Sequence, residues 1–141
     1  MTIKEYLKQA YRLDQRIDNH LEELARFRET VVGLSSPRYG DKVQSSVDGN
    51  APFVKQIESI IRYEERINAE IDTLIALKDQ IHETIATAGN PRDEIMLHSK
   101  YIDGQSWEHI AASFQVDVST VYRWHREALH RMKMPENPIV V

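Results

Sequence analysis

An all-α fold is predicted for this sequence: a long N-terminal helical hairpin, coiled-coil-like in its pattern, followed by a compact C-terminal helix-turn-helix domain. Two long stretches carry apolar residues at alternating spacings of four and three, and residues 106–133 read as two short helices pinned across a tight turn. No stretch reads as a convincing strand. Five glycines and five prolines, most of them between the periodic stretches, leave long windows free of helix breakers.

In the first stretch Tyr6, Ala10, Leu13, Ile17, His20, Leu24, Phe27 and Val31 form a seam with the heptad rhythm. In the second, Ile57, Ile60, Ile67, Ile71, Leu74, Ile81 and Ile85 keep that rhythm, with Glu64 and Lys78 interrupting it. Each helix must bury its stripe, and an antiparallel hairpin lets each cover the other. Leu21, Ile61, Ile75 and Leu77 stand beside the seams as spare apolar positions that can seat the C-terminal domain or a second subunit. The long helices are therefore expected to assemble a homo-oligomer, a dimer or higher.

Between them, residues 33–52 are rich in Gly, Ser, Asn and Pro, which predicts a loop. The connection is longer than antiparallel helices need. It reads as a mobile loop or, through Arg38, Tyr39 and Lys42, as a partner-docking arm. The boundary between an N-terminal part, 1–88, and a C-terminal domain, 89–141, falls where Gly89 ends one helix and Asn90 caps the next, with Pro91 in its first turn.

The C-terminal domain carries the most specific pattern. Ile110 and Ala111 bury the first short helix, Val116 plugs the turn, and Asp117 is placed to cap the second helix before Val121 returns to the core. At about 3.6 residues per turn the second helix has two faces. Val121, Trp124, Ala128 and Met132 line one; Ser119, Tyr122, Arg123, Arg126 and His130 line the other. Trp107 and Trp124 fall at inward spacings and are expected in the core rather than as base-stacking platforms.

From Pro91 to Lys133 this pattern resembles region 4 of bacterial sigma factors. With two long helices ahead of it, the layout is similar to the sigma-like late transcription regulators of Gram-positive phages and prophages, the ArpU and RinA type. The resemblance implies a sequence-specific regulator of transcription that binds double-stranded DNA through Ser106, Val118, Ser119, Thr120, Tyr122, Arg123, Arg126 and His130, with RNA polymerase as a further partner. Ser119 and Arg123 would read bases; Tyr122, Arg126 and the backbone N–H groups near Ser106 would hold phosphates. Gln115 departs from the pattern, because such turns often carry glycine to reach a positive φ.

The formal net charge of −4 at pH 7 argues against nucleic acid only if the charge is uniform. It is not. Between Val118 and Met134, Arg123, Arg126, Arg131 and Lys133 face one acid, Glu127, a local charge of +3. Acids on the long helices read as solvated faces with i, i+4 partners, as at Glu22 and Arg26.

Catalytic, cofactor and metal chemistry is not expected. His125 and His130 stand five apart and share no helical face at ligand spacing, His82-Glu83 does not complete a zinc-protease pattern, and no glycine-rich phosphate loop occurs. His20 reads as a satisfied core or interface histidine. The chain has no cysteine, so no disulfide framework or thiolate chemistry arises. No signal-like segment or apolar run of roughly 20 residues is evident, which predicts a cytoplasmic protein without membrane contact. Two other readings fit the same residues: a small terminase-like subunit recognising viral DNA for packaging, and an adaptor whose helix-turn-helix docks on RNA polymerase.

Overall fold

The computed structural model describes residues 1–35 and 51–141. Within them the chain is all-helical: α1 (Ile3–Ser35), α2 (Ala51–Ala86), α3 (Pro91–Tyr101), α4 (Trp107–Phe114) and α5 (Val118–Arg131), with no strand among the described residues. None of these helices is long and apolar enough to cross a membrane. Helix enters the expected loop from both sides, since Gly33 still belongs to α1 and Pro52 to α2. Arg38, Tyr39 and Lys42 lie outside the described residues.

The start of α1 is fixed by a reciprocal cap. The Thr2 N–H donates to Glu5 Oε2 at 2.7 Å and the Glu5 N–H donates to Thr2 Oγ1 at 3.2 Å. Those bonds hold the Glu5 carboxyl below the usual carboxylate range. The turn between α2 and α3 follows the sequence expectation. Gly89 has φ +92°, a left-handed conformation that favours glycine, and the Asn90 side chain accepts from the Asp93 N–H at 2.9 Å, with Pro91 next to it at the helix start.

Packing divides the chain into two units, one of residues 1–15 and 72–141, the other of residues 16–71. The first unit holds the start of α1, the end of α2 and all of α3–α5. Its buried apolar residues are Tyr6, Leu7, Ala10 and Leu13 of α1; Leu74, Leu77, Ile81 and Ile85 of α2; Ala88; Met96, Leu97 and Tyr101 of α3; Ile110 and Ala111 of α4; and Val121, Ala128 and Met132. Each large one is worth about 1.5–3 kcal/mol of burial. Leu77 belongs to this core and is not a spare position beside a seam. Buried residues at 74, 77, 81, 84 and 85 make a stripe on α2 too wide for a two-helix seam.

Two carboxamides tie the C-terminal residues to this unit. Gln80 Nε2 donates to the Asn137 carbonyl and Gln80 Oε1 accepts from the Ile139 N–H, both at 2.9 Å. Gln9 Nε2 donates to the Ile139 carbonyl and Gln9 Oε1 accepts from the Val141 N–H, again at 2.9 Å. The Tyr6 hydroxyl donates to the same Gln80 oxygen at 2.7 Å.

In the second unit Ile17, Leu24 and Ile67 are buried. Polar pairs between α1 and α2 accompany them. Arg16 Nε lies 3.0 Å and His20 Nδ1 2.7 Å from the Glu70 carboxylate; the Tyr63 hydroxyl donates to Glu23 at 2.7 Å; Arg28 meets Glu64. His20 is thus half-buried and partnered. Phe27 and Ile57 of the seams remain exposed, because no described residue covers them fully.

Candidate nucleic-acid interface

The α4–α5 pair is built by its caps and its turn. Ser106 Oγ accepts from the His109 N–H at 3.1 Å and starts α4. The helix ends at Gln115, which takes the left-handed conformation (φ 56°, ψ 44°); its N–H and that of Val116 return to the Ala112 and Ala111 carbonyls at 3.1 Å. A non-glycine residue therefore carries the positive φ that the turn requires. Asp117 occupies the cap position of α5, but its carboxylate makes no capping bond, contrary to the sequence expectation. Its carbonyl accepts from Thr120 and Val121 instead, so the helix start is closed by backbone and the carboxylate stays in water.

α5 separates into two faces. Val121, His125 and Ala128 are buried. Ser119, Tyr122, Arg123, Arg126 and His130 are exposed, while Val118 and Thr120 in the first turn are half-buried. The exposed residues follow one another at helical spacing, so Ser119, Arg123, Arg126 and His130 share a stripe. Among the described residues neither Arg123 nor Arg126 enters an ion pair. Asp117 and Glu127 are the carboxylates on α5 and its cap.

Arg131 is a different case. It does not add to the free positive patch, because its guanidinium bonds the fully buried Asp93 carboxylate and donates from Nε to the Ala88 carbonyl at 3.1 Å. Asp93 also takes Arg92 Nε at 3.2 Å and Asn90 Nδ2 at 2.9 Å. Sequence counting put Arg131 with the free cations because Asp93 stands far away along the chain.

The two tryptophans are not core. Trp124 is half-buried, edge-on to Phe114 at 5.5 Å and roofed by the Arg92 guanidinium at 4.2 Å. Trp107 is half-buried too, edge-on to the exposed Tyr122 at 5.6 Å and to His125 at 4.6 Å, with Lys100 Nζ 4.7 Å from its ring centre. Beneath it the Tyr101 hydroxyl and His125 Nε2 share a buried hydrogen bond of 2.5 Å. Burial pushes the Tyr101 hydroxyl up and the His125 imidazole down to about 4, the latter helped by the charges of Lys4, Lys100 and Lys8.

Those lysines mark a feature that sequence reading missed. Lys4, Lys8, Tyr11 and Arg12 of α1, with Lys100, Tyr101, Gly104 and Trp107, line an open cavity of about 450 Å³. The i, i+4, i+8 row at 4, 8 and 12 is visible in the sequence, but nothing there places it beside Trp107. Gly104 (φ +68°) allows the approach, since a Cβ at that position would lie 2.7 Å from the Tyr11 ring.

Among the described residues no cluster of His, Cys, Asp and Glu is arranged to hold a metal ion. No family model matches the chain, and neither curated proteins nor solved structures give a match.

Proposed function

We propose that this chain is a sequence-specific, duplex-DNA-binding regulator of transcription in which α4 and α5 act as a sigma region 4-like helix-turn-helix carried on a long helical hairpin. The observation that carries the reading is the two-sided character of α5: a buried face of Val121, His125 and Ala128 opposite an exposed stripe of Ser119, Arg123, Arg126 and His130. An exposed helix with unpaired guanidinium groups suits the major groove, where arginine can donate two parallel bonds to guanine. Ser119 and Arg123 are assigned to base edges. Tyr122, Arg126 and the N–H groups at the start of α4 are assigned to phosphates. The resemblance to phage regulators extends the proposal to late phage or prophage genes, and no residue is given a catalytic role.

Selection from a random duplex pool, followed by sequencing, tests this reading. A single enriched motif supports it. Retention on RNA polymerase with no enrichment on DNA would replace it with the adaptor reading. Ring assemblies together with binding to viral packaging sequences would favour a terminase-like role.

The exposure of Leu21, Phe27, Ile57 and Ile61 in the second unit supports a further part of the proposal, that the long helices join two or more copies. Sedimentation that stays monomeric at tens of micromolar, a working range for weak association, would remove that part alone.

A further inference from the structure

We infer that Lys4, Lys8 and Arg12, together with Lys100, form a phosphate-binding shelf that extends the α4–α5 contact along the backbone of duplex DNA. The inference rests on the reading of α4–α5 as a DNA-contacting pair.

The cavity is lined by four cations and by Tyr11, Tyr101, Gly104 and Trp107, with no carboxylate among its lining residues. Among the described residues Lys4, Lys8 and Arg12 make no ion pair; the nearby Glu5 carboxylate is engaged by Thr2. Lys100 donates to the Gln105 carbonyl at 3.3 Å, which leaves two of its three ammonium hydrogens for a ligand. Like charges gathered with no carboxylate among the lining residues repel each other, and an anion in the cavity reduces that cost. His125, whose proton affinity is lowered first by burial, is also within reach of the charges of Lys4, Lys100 and Lys8.

The arrangement favours a polyanion over a compact one. Lys4, Lys8 and Arg12 sit on successive turns of one helix face, advancing about 6 Å per step at about 1.5 Å per residue. They make a line of charge, comparable with successive phosphates on a strand, and not a single focus. The line also leads to the proposed DNA face. Trp107 lines the cavity and touches Tyr122, which is exposed on α5 beside Arg123 and Arg126. Ser106, the cap of α4, directly precedes Trp107 in the chain.

The test uses the full chain and a labelled mixed-sequence duplex, titrated over a range of KCl concentrations. Each phosphate contact contributes about 0.9 to the slope of log affinity against log salt. The triple variant Lys4→Gln/Lys8→Gln/Arg12→Gln is expected to lower that slope by about 2–3 while keeping the base preference of the native chain. If the triple variant loses helical content, the three single substitutions replace it, each expected to lower the slope by about one. An unchanged slope overturns the shelf and leaves the α4–α5 proposal standing. A second arm titrates inorganic tripolyphosphate against tryptophan fluorescence. Saturable binding abolished by the same substitutions, with the duplex slope intact, assigns the cavity to a small polyphosphate and also overturns the inference. A native chain that binds no duplex even at low salt removes both the shelf and the DNA reading.

Discussion

Arg131, at the end of α5, holds the carboxylate of Asp93, in the first turn of α3, and that carboxylate is wholly buried. The contact ties the end of α5 to the connection between α2 and α3, because the same guanidinium also donates to the Ala88 carbonyl. Arg131→Met leaves a buried carboxylate with only Arg92 as a charged partner. A loss of about 2–4 kcal/mol of stability is expected, measured as a drop in the urea midpoint with an unchanged slope. Arg131→Met retaining native stability would show that the pair merely decorates the surface.

Arg123 and Arg126 are expected to separate by the kind of loss they cause. Arg123→Ala should cost about 1–3 kcal/mol at one base pair and relax preference there. Arg126→Ala should weaken all sequences alike and lower the salt slope by about one. Competition titrations with single-base variants of the selected motif distinguish the two. Uniform loss from Arg123→Ala would move that residue to the phosphate group.

His125 makes stability depend on mild acid. Its folded pKa lies near 4, below the roughly 6.5 of an unfolded histidine. Between those values the unfolded chain takes up a proton that the folded chain refuses. Stability present above about pH 6.5 is therefore lost as the pH falls towards 4. Around the ring stand Tyr101, Trp107, Lys100, Lys4 and Lys8, none of which supplies a negative charge to reverse the sign. Denaturation midpoints at about pH 7 and about pH 5 should fall further for the native chain than for His125→Gln, which cannot titrate. Parallel curves would contradict a neutral buried imidazole.

Gln115→Gly should stabilise the turn. The residue sits in the left-handed region at φ 56°, where a side chain costs roughly 1–2 kcal/mol and glycine costs little. After the extra freedom glycine brings to the unfolded chain, a net gain of about 0.5–1 kcal/mol is expected. Thermal unfolding measures it, and a lowered midpoint would mean that the Gln115 side chain supports the turn.

What the sequence made legible was local. Val121, Ala128 and Met132 announce a buried face by their spacing, and Gly89, Asn90 and Pro91 announce a helix end followed by a cap; the structure has both. The candidate stripe at Ser119, Arg123 and Arg126 was readable for the same reason, since a face of one helix depends only on period. Contacts between distant residues were hidden. Arg131 looked like one more free cation because Asp93 lies in another helix. Trp107 looked internal because its spacing carries no sign of the lysines of α1. The capping box at Thr2 and Glu5 was within reach of local reading and went unread.

The clasp of Gln9 and Gln80 on residues 137–141 couples the two ends of the chain through amide exchange. Opening the C-terminal residues removes four backbone bonds of the two carboxamides, leaving Gln9 the Tyr6 carbonyl and Gln80 the Tyr6 hydroxyl, and is expected to loosen the first turns of α1, where Lys4 and Lys8 stand. Amides at both ends should therefore exchange as one cooperative unit rather than fray separately. The rigidity of the cationic row is then tied to the backbone of residues 137–141, through two side chains that carry no charge at all.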